Sequence, residues 1–300
     1  MSASIEMTAF IQVVERGSFA AAANELRLTP SAISRLVGRI EDRLGVRLLN
    51  RTTRRLALTD EGSLYLARAR DITAAIEAAE TEVSESGATP SGRLRINTGT
   101  AFGRHQLAPV MPLFLARYPD ITFEIGISDR QVNLLDDHVD VAIRTGPVLD
   151  GSLVVRKLGE ARRLICASPG YITQNGMPQQ PADLERHRCL AVNGYGQLAS
   201  WPFLTPEGVN RLDIKPAVSC DSADVLREMA LAGLGIIRMG DFLLAEPMRQ
   251  GRLVEVLAEQ NAPEPFPISA VMLPGRNRLP RVRVFVDFLV EQFGKGRWSA

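Results

Sequence analysis

The 300-residue sequence holds three cysteines, Cys166, Cys189 and Cys220, too few and too widely separated for a disulfide framework or a run of metal ligands. That scarcity excludes the small disulfide-stapled class and suits a reducing cytoplasm. Long apolar runs are missing as well. No window reaches the roughly 18–20 apolar residues of a membrane span. The start, MSASIEMTAF, lacks the basic region and apolar run of a secretion signal. The expected location is the cytoplasm, with no membrane partner. Neither sign of charge is in excess, the formal net being +1, so any attraction to nucleic acid has to come from local clustering. Catalytic spacing is absent too. His105, His138 and His187 are scattered outside any HExxH or HxH arrangement. No GxSxG elbow occurs. The stretch Gly99–Gly103 lacks the lysine and spacing of a phosphate loop and reads as a strand-to-helix turn whose backbone N–H groups suit an anion. Neither an enzyme nor a metal or other cofactor is expected.

What is present is the composition of a globular protein, 45% hydrophobic and 23% charged, long enough to bury at least two cores. The charge is unevenly spread. Residues 1–60 carry nine arginines against six carboxylates, and Arg51, Arg54 and Arg55 fall within five positions. Such a cluster is either an electrostatic footprint for DNA or an ordinary solvated hairpin. The surrounding pattern decides. Ile33, Leu36, Val37, Ile40 and Leu44 recur at helical spacing, while Ser31, Ser34, Arg35, Gly38, Arg39 and Asp42 form a small, polar, basic opposite face. A preceding helix places Phe19, Ala22, Ala23 and Leu26 inward behind an N-cap at Ser18. Two short helices joined by Leu28-Thr29-Pro30 make a helix-turn-helix, whose second helix enters the major groove.

Around this motif the chain reads in order. A first helix over Ser4–Arg16 ends at Gly17, and Gly45 stops the recognition helix. Val46–Asn50 and Arg55–Leu58 read as two short strands, a basic hairpin. Thr59 caps a helix running to about Ser86, with Leu64, Ile72, Ile76, Ala79 and Val83 along one side. Its first half carries Arg68 and Arg70 and its second half Glu77, Glu80, Glu82 and Glu85, so two antiparallel copies would set basic against acidic halves. It either packs on its own domain or pairs with a second chain. Gly87–Gly92 is a linker. Strands are then expected at Leu94–Thr98, Ile121–Ser128, Val139–Arg144 and Ile268–Leu273. Helices are expected at Arg104–Tyr118, Asn133–Asp137, Ser222–Ala232, Phe242–Gln250 and Pro280–Phe293. The alternation predicts a parallel or mixed sheet covered on both faces.

The segment LGVRLLNRTTRRLALTDEG, with DVAIRTG, GLGII and GRLVEVL farther on, resembles the LysR-type transcriptional regulators along the whole chain. The resemblance implies an α+β multidomain fold. Residues 1–59 would be a winged helix-turn-helix DNA-binding domain, 60–86 a dimerising linker helix and 87–92 a hinge. Residues 93–300 would form a two-lobed α/β effector-binding domain like a periplasmic binding protein, with lobe I at 93–163 and 267–300 and lobe II at 164–266. Expected DNA contacts are Ser18, Pro30, Ser31, Ser34, Arg35, Arg39, Arg51, Thr52, Arg54 and Arg55. Relatives often carry S-Q-P-A-V-S-R where this chain has Thr29–Arg35; the base-contacting glutamine is missing, which leaves Ser34 and Arg35 as base readers. Expected effector contacts are Thr98, Thr100, Ala101, Phe102, Ser128, Arg130, Arg144, Thr145, Cys220 and Asp221, with Ala101 standing where relatives often have a hydroxyl. These groups favour a small polar ligand, such as an organic acid. Ile72, Ile76, Ala79 and Val83 are the expected dimer seam. The implied partners are double-stranded promoter DNA, a small-molecule effector, a second copy in a dimer or tetramer, and RNA polymerase. Two alternatives stay open: a thiol sensor built on Cys220, which precedes a helix, and a solute receptor or enzyme on the same two-lobed fold.

Overall fold

The computed structural model describes residues 3–51, 56–84, 90–130, 134, 139–193 and 199–294, with the side chains at 51, 71, 74 and 77–84 outside that description. The chain divides into two compact units, residues 1–89 with 274–280, and residues 90–273 with 281–300.

In the first unit, helices α1 (Ala3–Arg16), α2 (Phe19–Leu26) and α3 (Pro30–Leu44) are cut by local signals. Ser18 Oγ accepts the Ala21 N–H at 3.1 Å and starts α2. Thr29 Oγ1 accepts the Ala32 N–H at 3.2 Å, and Pro30 occupies the first turn of α3, where its missing N–H costs nothing. Gly45, at φ +72°, ends α3. Strands β1 (Leu49–Arg51) and β2 (Leu56–Leu58) pair antiparallel and are shorter than the sequence reading. Helix α4 (Asp60–Ser84) follows, capped by Thr59 Oγ1, which accepts the Gly62 N–H at 2.9 Å and donates to the Arg47 carbonyl at 2.7 Å. The core joins Phe10 and Val13 of α1, Ala22 and Ala23 of α2, Ile33, Leu36, Val37 and Ile40 of α3, Leu48, Leu49, Leu66 and Ala69.

The second unit holds two five-stranded mixed sheets. The first is built from β3 (Gly92–Thr98), β4 (Ile121–Ile127), β5 (Val141–Thr145) and β6 (Val154–Ala161), in the order β4-β3-β5-X-β6, where X is the late strand β14 (Phe266–Met272). Between β3 and β4 lie α5 (Thr100–Phe102), a π-helical turn over Gly103–Leu107, and α6 (Ala108–Arg117). The helix expected over Arg104–Tyr118 is present to Arg117, continuous with α5, but it opens with the π-helical turn. Pro109 and Pro112 supply no N–H for i→i−4 bonding, and the Ala108 N–H reaches back five residues to the Gly103 carbonyl. The short helix expected at Asn133–Asp137 lies outside the described residues except for Leu134.

The second sheet uses β7 (Arg163–Ala167), β8 (Cys189–Val192), β11 (Val218–Cys220), β12 (Ile236–Gly240) and β13 (Val254–Glu255) in the order β11-β8-β12-β7-β13. Helices α7 (Pro169–Asn175), α8 (Ala223–Leu231) and α9 (Asp241–Arg249) belong to it. A separate hairpin, β9 (Ser200–Thr205) and β10 (Gly208–Asp213), contributes Trp201 and Phe203 to a core with Ile165, Ile236 and Val256. After β13 the chain returns to the first sheet through β14, antiparallel to both β5 and β6, and ends in α10 (Pro280–Phe293). Phe285 and Phe288 of α10 stack around Phe114 with centroids 5.3 and 5.2 Å away. We call the half around the first sheet lobe I and the half around the second lobe II. Phe102 of lobe I meets Phe242 of lobe II at 6.0 Å.

Candidate functional site

Two surfaces carry the residues singled out from the sequence. On α3 the stripe Ile33, Leu36, Val37 and Ile40 is buried, while Ser31, Arg35 and Arg39 are exposed and Ser34 is half-buried. Pro30 is exposed at the start of the helix, beside a Thr29–Ser31 hydroxyl pair at 3.0 Å. Arg35 Nε lies 3.4 Å from the carbonyl of Ser31 on its own helix. Arg39 lies 4.0 Å from Glu6, a buried α1 carboxylate whose main partner is Arg43 at 2.7 Å. Ser18 spends its hydroxyl on capping α2. Glu41, not anticipated from the sequence, accepts the N–H groups of Leu48 and Leu49 at 2.9 and 3.2 Å and Arg47 Nη1 at 2.8 Å. It thereby fixes the path from α3 into β1. Thr52, Arg54, Arg55 and the Arg51 side chain lie outside the described residues.

In the second unit the expected effector contacts stand at the ends of β3, β4, β5 and β11. Their side chains are used unequally. Thr98 is fully buried, its Cγ2 lying 3.0 Å from where a Cβ on Gly103 would sit, and its hydroxyl has no partner among the described residues. Ala101 and Phe102 are buried, Phe102 against Phe242 and Phe293. Thr100 is half-buried, and its N–H donates to Asp129 Oδ1 at 2.8 Å. A carboxylate of the protein therefore already sits at the turn where the sequence suggested an anion. Ser128 Oγ accepts the Arg130 N–H at 3.1 Å, while Arg130 and Thr145 are exposed. Arg144 Nη1 donates to Asn97 Oδ1 at 2.8 Å. Cys220 is half-buried and its sulfur accepts the Ser222 N–H at 3.4 Å; Asp221 is exposed. Cys166 and Cys189 are buried, and burial pushes the Cys189 thiol up to about 12.

Three further residues join the lobes. Consecutive side chains of the π-turn reach lobe II: Arg104 Nη1 to Asp224 Oδ2 at 2.9 Å, His105 Nε2 to Asp224 Oδ1 at 2.5 Å, and Gln106 Nε2 to the Phe242 carbonyl at 2.7 Å. Burial would raise the Asp224 pKa, but His105 and Arg104 outweigh it and hold the carboxyl below its usual value. In the sequence His105 stood as one of three unrelated histidines; three polar residues directly ahead of an apolar helix were the available signal.

Comparison with known proteins finds a family match for each part of the chain. Residues 6–63 match the family described as bacterial regulatory helix-turn-helix protein, lysR family, and residues 87–294 match the LysR substrate binding domain. The HTH-type transcriptional regulator CrgA of Neisseria meningitidis is 41% identical over 291 residues, covering 97% of each chain. The CrgA crystal structure superposes with a TM-score of 0.66 at 40% identity over 98% of this chain and 100% of that one. Full-length AphB, the Vibrio cholerae virulence activator, gives 0.59 at 29% identity over 97% and 99%. Helix-turn-helix, long helix and two-lobed domain occur here in one chain, at the length of these regulators, and the protein belongs to the LysR family of transcriptional regulators.

Proposed function

We propose that the protein binds promoter DNA as a homo-oligomer in the bacterial cytoplasm, and that a small polar effector held between the lobes alters that binding. The observation that carries the DNA reading is the polar face of α3, with Ser31, Arg35 and Arg39 exposed opposite the buried Ile33, Leu36, Val37 and Ile40, only Leu44 of the apolar stripe being exposed at the helix end. Arg35 is the base reader and the β1–β2 hairpin supplies phosphate contacts. Self-association is supported by Ile72, 44% exposed on α4, and by Ile125 and Ile127 on β4, an edge strand. Footprinting on the protein's own upstream region tests the DNA reading. Arg35→Ala should cost about 1–3 kcal/mol on the specific site and relax preference at one base pair. Arg54→Ala should weaken specific and random DNA alike and lower the salt slope by about one. Equal effects of both variants on both DNAs would remove the distinction.

The effector reading rests on the Arg104–His105–Asp224 contact, which places lobe separation under polar control. Asp129 already takes the Thr100 N–H, so an effector's acid group falls to Arg104, Arg130 or Arg144. Calorimetry with an effector found by thermal-shift screening tests this. An apolar ligand, or full affinity in Thr100→Val, Arg130→Ala and Arg144→Ala alike, overturns the site. A thiol-sensing alternative is favoured by one observation: Cys220 is half-buried while the other two thiols are buried. A peroxide response of promoter binding that disappears in Cys220→Ser would establish it.

A further inference from the structure

Strands β7, β10 and β12 and the crossover into β14 converge on one carboxylate, Glu264. Its Oε1 accepts Arg211 Nη2 at 2.6 Å, and its Oε2 accepts Arg163 Nη1 at 3.2 Å and Arg238 Nη1 at 3.0 Å. Among the described residues no other acid pairs with any of these arginines, so three guanidiniums face one carboxylate. Arginine does not shed its proton in proteins, and the cluster keeps two positive charges in excess.

The arrangement has a floor and an open side. Arg238 has a side chain only 2% exposed; its Nε donates to Asn261 Oδ1 at 3.2 Å, and its Nη2 is buried with no hydrogen-bond partner among the described residues. Asn261 is itself fixed through Nδ2 to the Arg163 carbonyl at 2.7 Å. The Arg163 guanidinium stacks on the Phe266 ring at 4.4 Å. Arg211 and Glu264, 42% and 30% exposed, face solvent. Burial pushes Arg163 and Arg238 below the ordinary arginine range; Glu264 opposes this and neighbouring guanidiniums add to it. Fastening the crossover to the sheet needs one arginine on Glu264. A second and third, with a buried N–H left unbonded, ask for more negative charge than the chain provides.

We propose that Arg163, Arg211 and Arg238 form a binding site for a compact, doubly charged oxyanion, such as phosphate, sulfate or a small dicarboxylate. Planar guanidinium forks match the paired oxygens of such a group, whereas chloride offers no second acceptor atom. The site is separate from Arg104, Arg130 and Arg144, the cations considered for the effector. Its arginines lie on β7, β10 and β12, and Glu264 lies on the segment that carries the chain from lobe II back to lobe I.

Isothermal titration of the full-length protein with sodium sulfate and sodium phosphate, against sodium chloride at matched ionic strength, tests the proposal, with succinate separating carboxylates from inorganic ions. The oxyanions should bind with a saturable heat that chloride lacks. Arg211→Gln, on a solvent-facing side chain, should weaken them at least about tenfold, the loss of one charge-assisted hydrogen bond. Glu264→Gln removes the internal competitor and should tighten them, an effect opposite in sign to losing a purely structural ion pair. Arg117→Gln, at an exposed arginine paired with Glu291 outside the cluster, should leave the isotherm unchanged. A response equal to that of chloride, unchanged binding in both Arg211→Gln and Glu264→Gln, or loss of binding in Arg117→Gln overturns the site.

Discussion

Glu41 sits 3% exposed in the first unit and stays there because of what it accepts: two backbone N–H groups at the entry to β1 and the guanidinium of Arg47. Burial alone would raise its pKa, but these bonds outweigh it and hold the carboxyl below its usual 4.5. A carboxylate with a lower pKa folded than unfolded adds stability that is fully present above the unfolded value. That stability is lost as the pH falls through the folded one. Acid unfolding followed by circular dichroism should therefore show a loss that Glu41→Gln flattens; an identical acid limb in the variant would refute the assignment. Glu41→Ala leaves two buried donors unbonded and should cost about 1–3 kcal/mol at neutral pH. Gly62 gives a second expectation of opposite sign to ordinary helix propensity. Gly→Ala inside a helix normally gains about 1 kcal/mol, but a Cβ at Gly62 would run into the Leu48 carbonyl. Gly62→Ala should lower the denaturant midpoint, and a raised midpoint would show that the contact yields freely.

Helix α4 is the element whose sequence pattern and whose packing ask different things. Leu66, Ala69 and Arg70 are buried in its own unit, Arg70 against Glu15 at 2.8 Å, whereas Ile72 is 44% exposed on the continuation of the helix. A large β-branched side chain there suits a partner copy better than water. Ile72→Asp with Ile76→Asp should raise the self-dissociation constant in sedimentation equilibrium by at least about tenfold, since charge would enter an apolar seam; an unchanged constant removes α4 from the interface. Ala79 and Val83 lie in the part without described side chains. Local signals of this kind were the legible ones. Ser18, Thr29, Gly45 and Thr59 act as the caps their types announce, and Pro280–Phe293 is a helix over the span read from the sequence. The π-turn that opens the helix after β3 was harder to read, because the apolar spacing of Val110 and Phe114 continues across Pro109 and Pro112. The polar contacts were not legible at all. Asp129 meeting Thr100, and Asp224 meeting His105, join residues 29 and 119 positions apart, and no periodicity encodes such a distance.

At the scale of the second unit, the two lobes are tied by an apolar contact, Phe102 on Phe242, and by a polar one at Asp224. The apolar contact tolerates small displacements because dispersion is spread over many atoms. The polar contact does not, since hydrogen bonds weaken steeply with distance and angle. Any ligand that changes lobe separation has to act against Asp224, whose side chain is 8% exposed while its partners Arg104 and His105 are 63% and 21% exposed. Asp224→Asn keeps the shape and removes the charge, so Arg104 and His105 lose their anionic partner. Amide hydrogen exchange should then quicken in the π-turn Gly103–Leu107 and in the first turn of α8, with β3 and β12 unchanged. Arg104→Gln, on an exposed side chain, should produce a smaller change in the same segments. The pH dependence follows from the lowered Asp224 pKa. The contact persists above the usual aspartate value of 3.8 and is lost only as the pH falls through the lower folded value. Exchange in wild type should thus be insensitive to Asp224 protonation at neutral pH, and the Asn variant at neutral pH should resemble the acid form of the wild type. Equal exchange in wild type and Asp224→Asn would show that the aromatic contact and the Gln106 bond to the Phe242 carbonyl hold the lobes without Asp224.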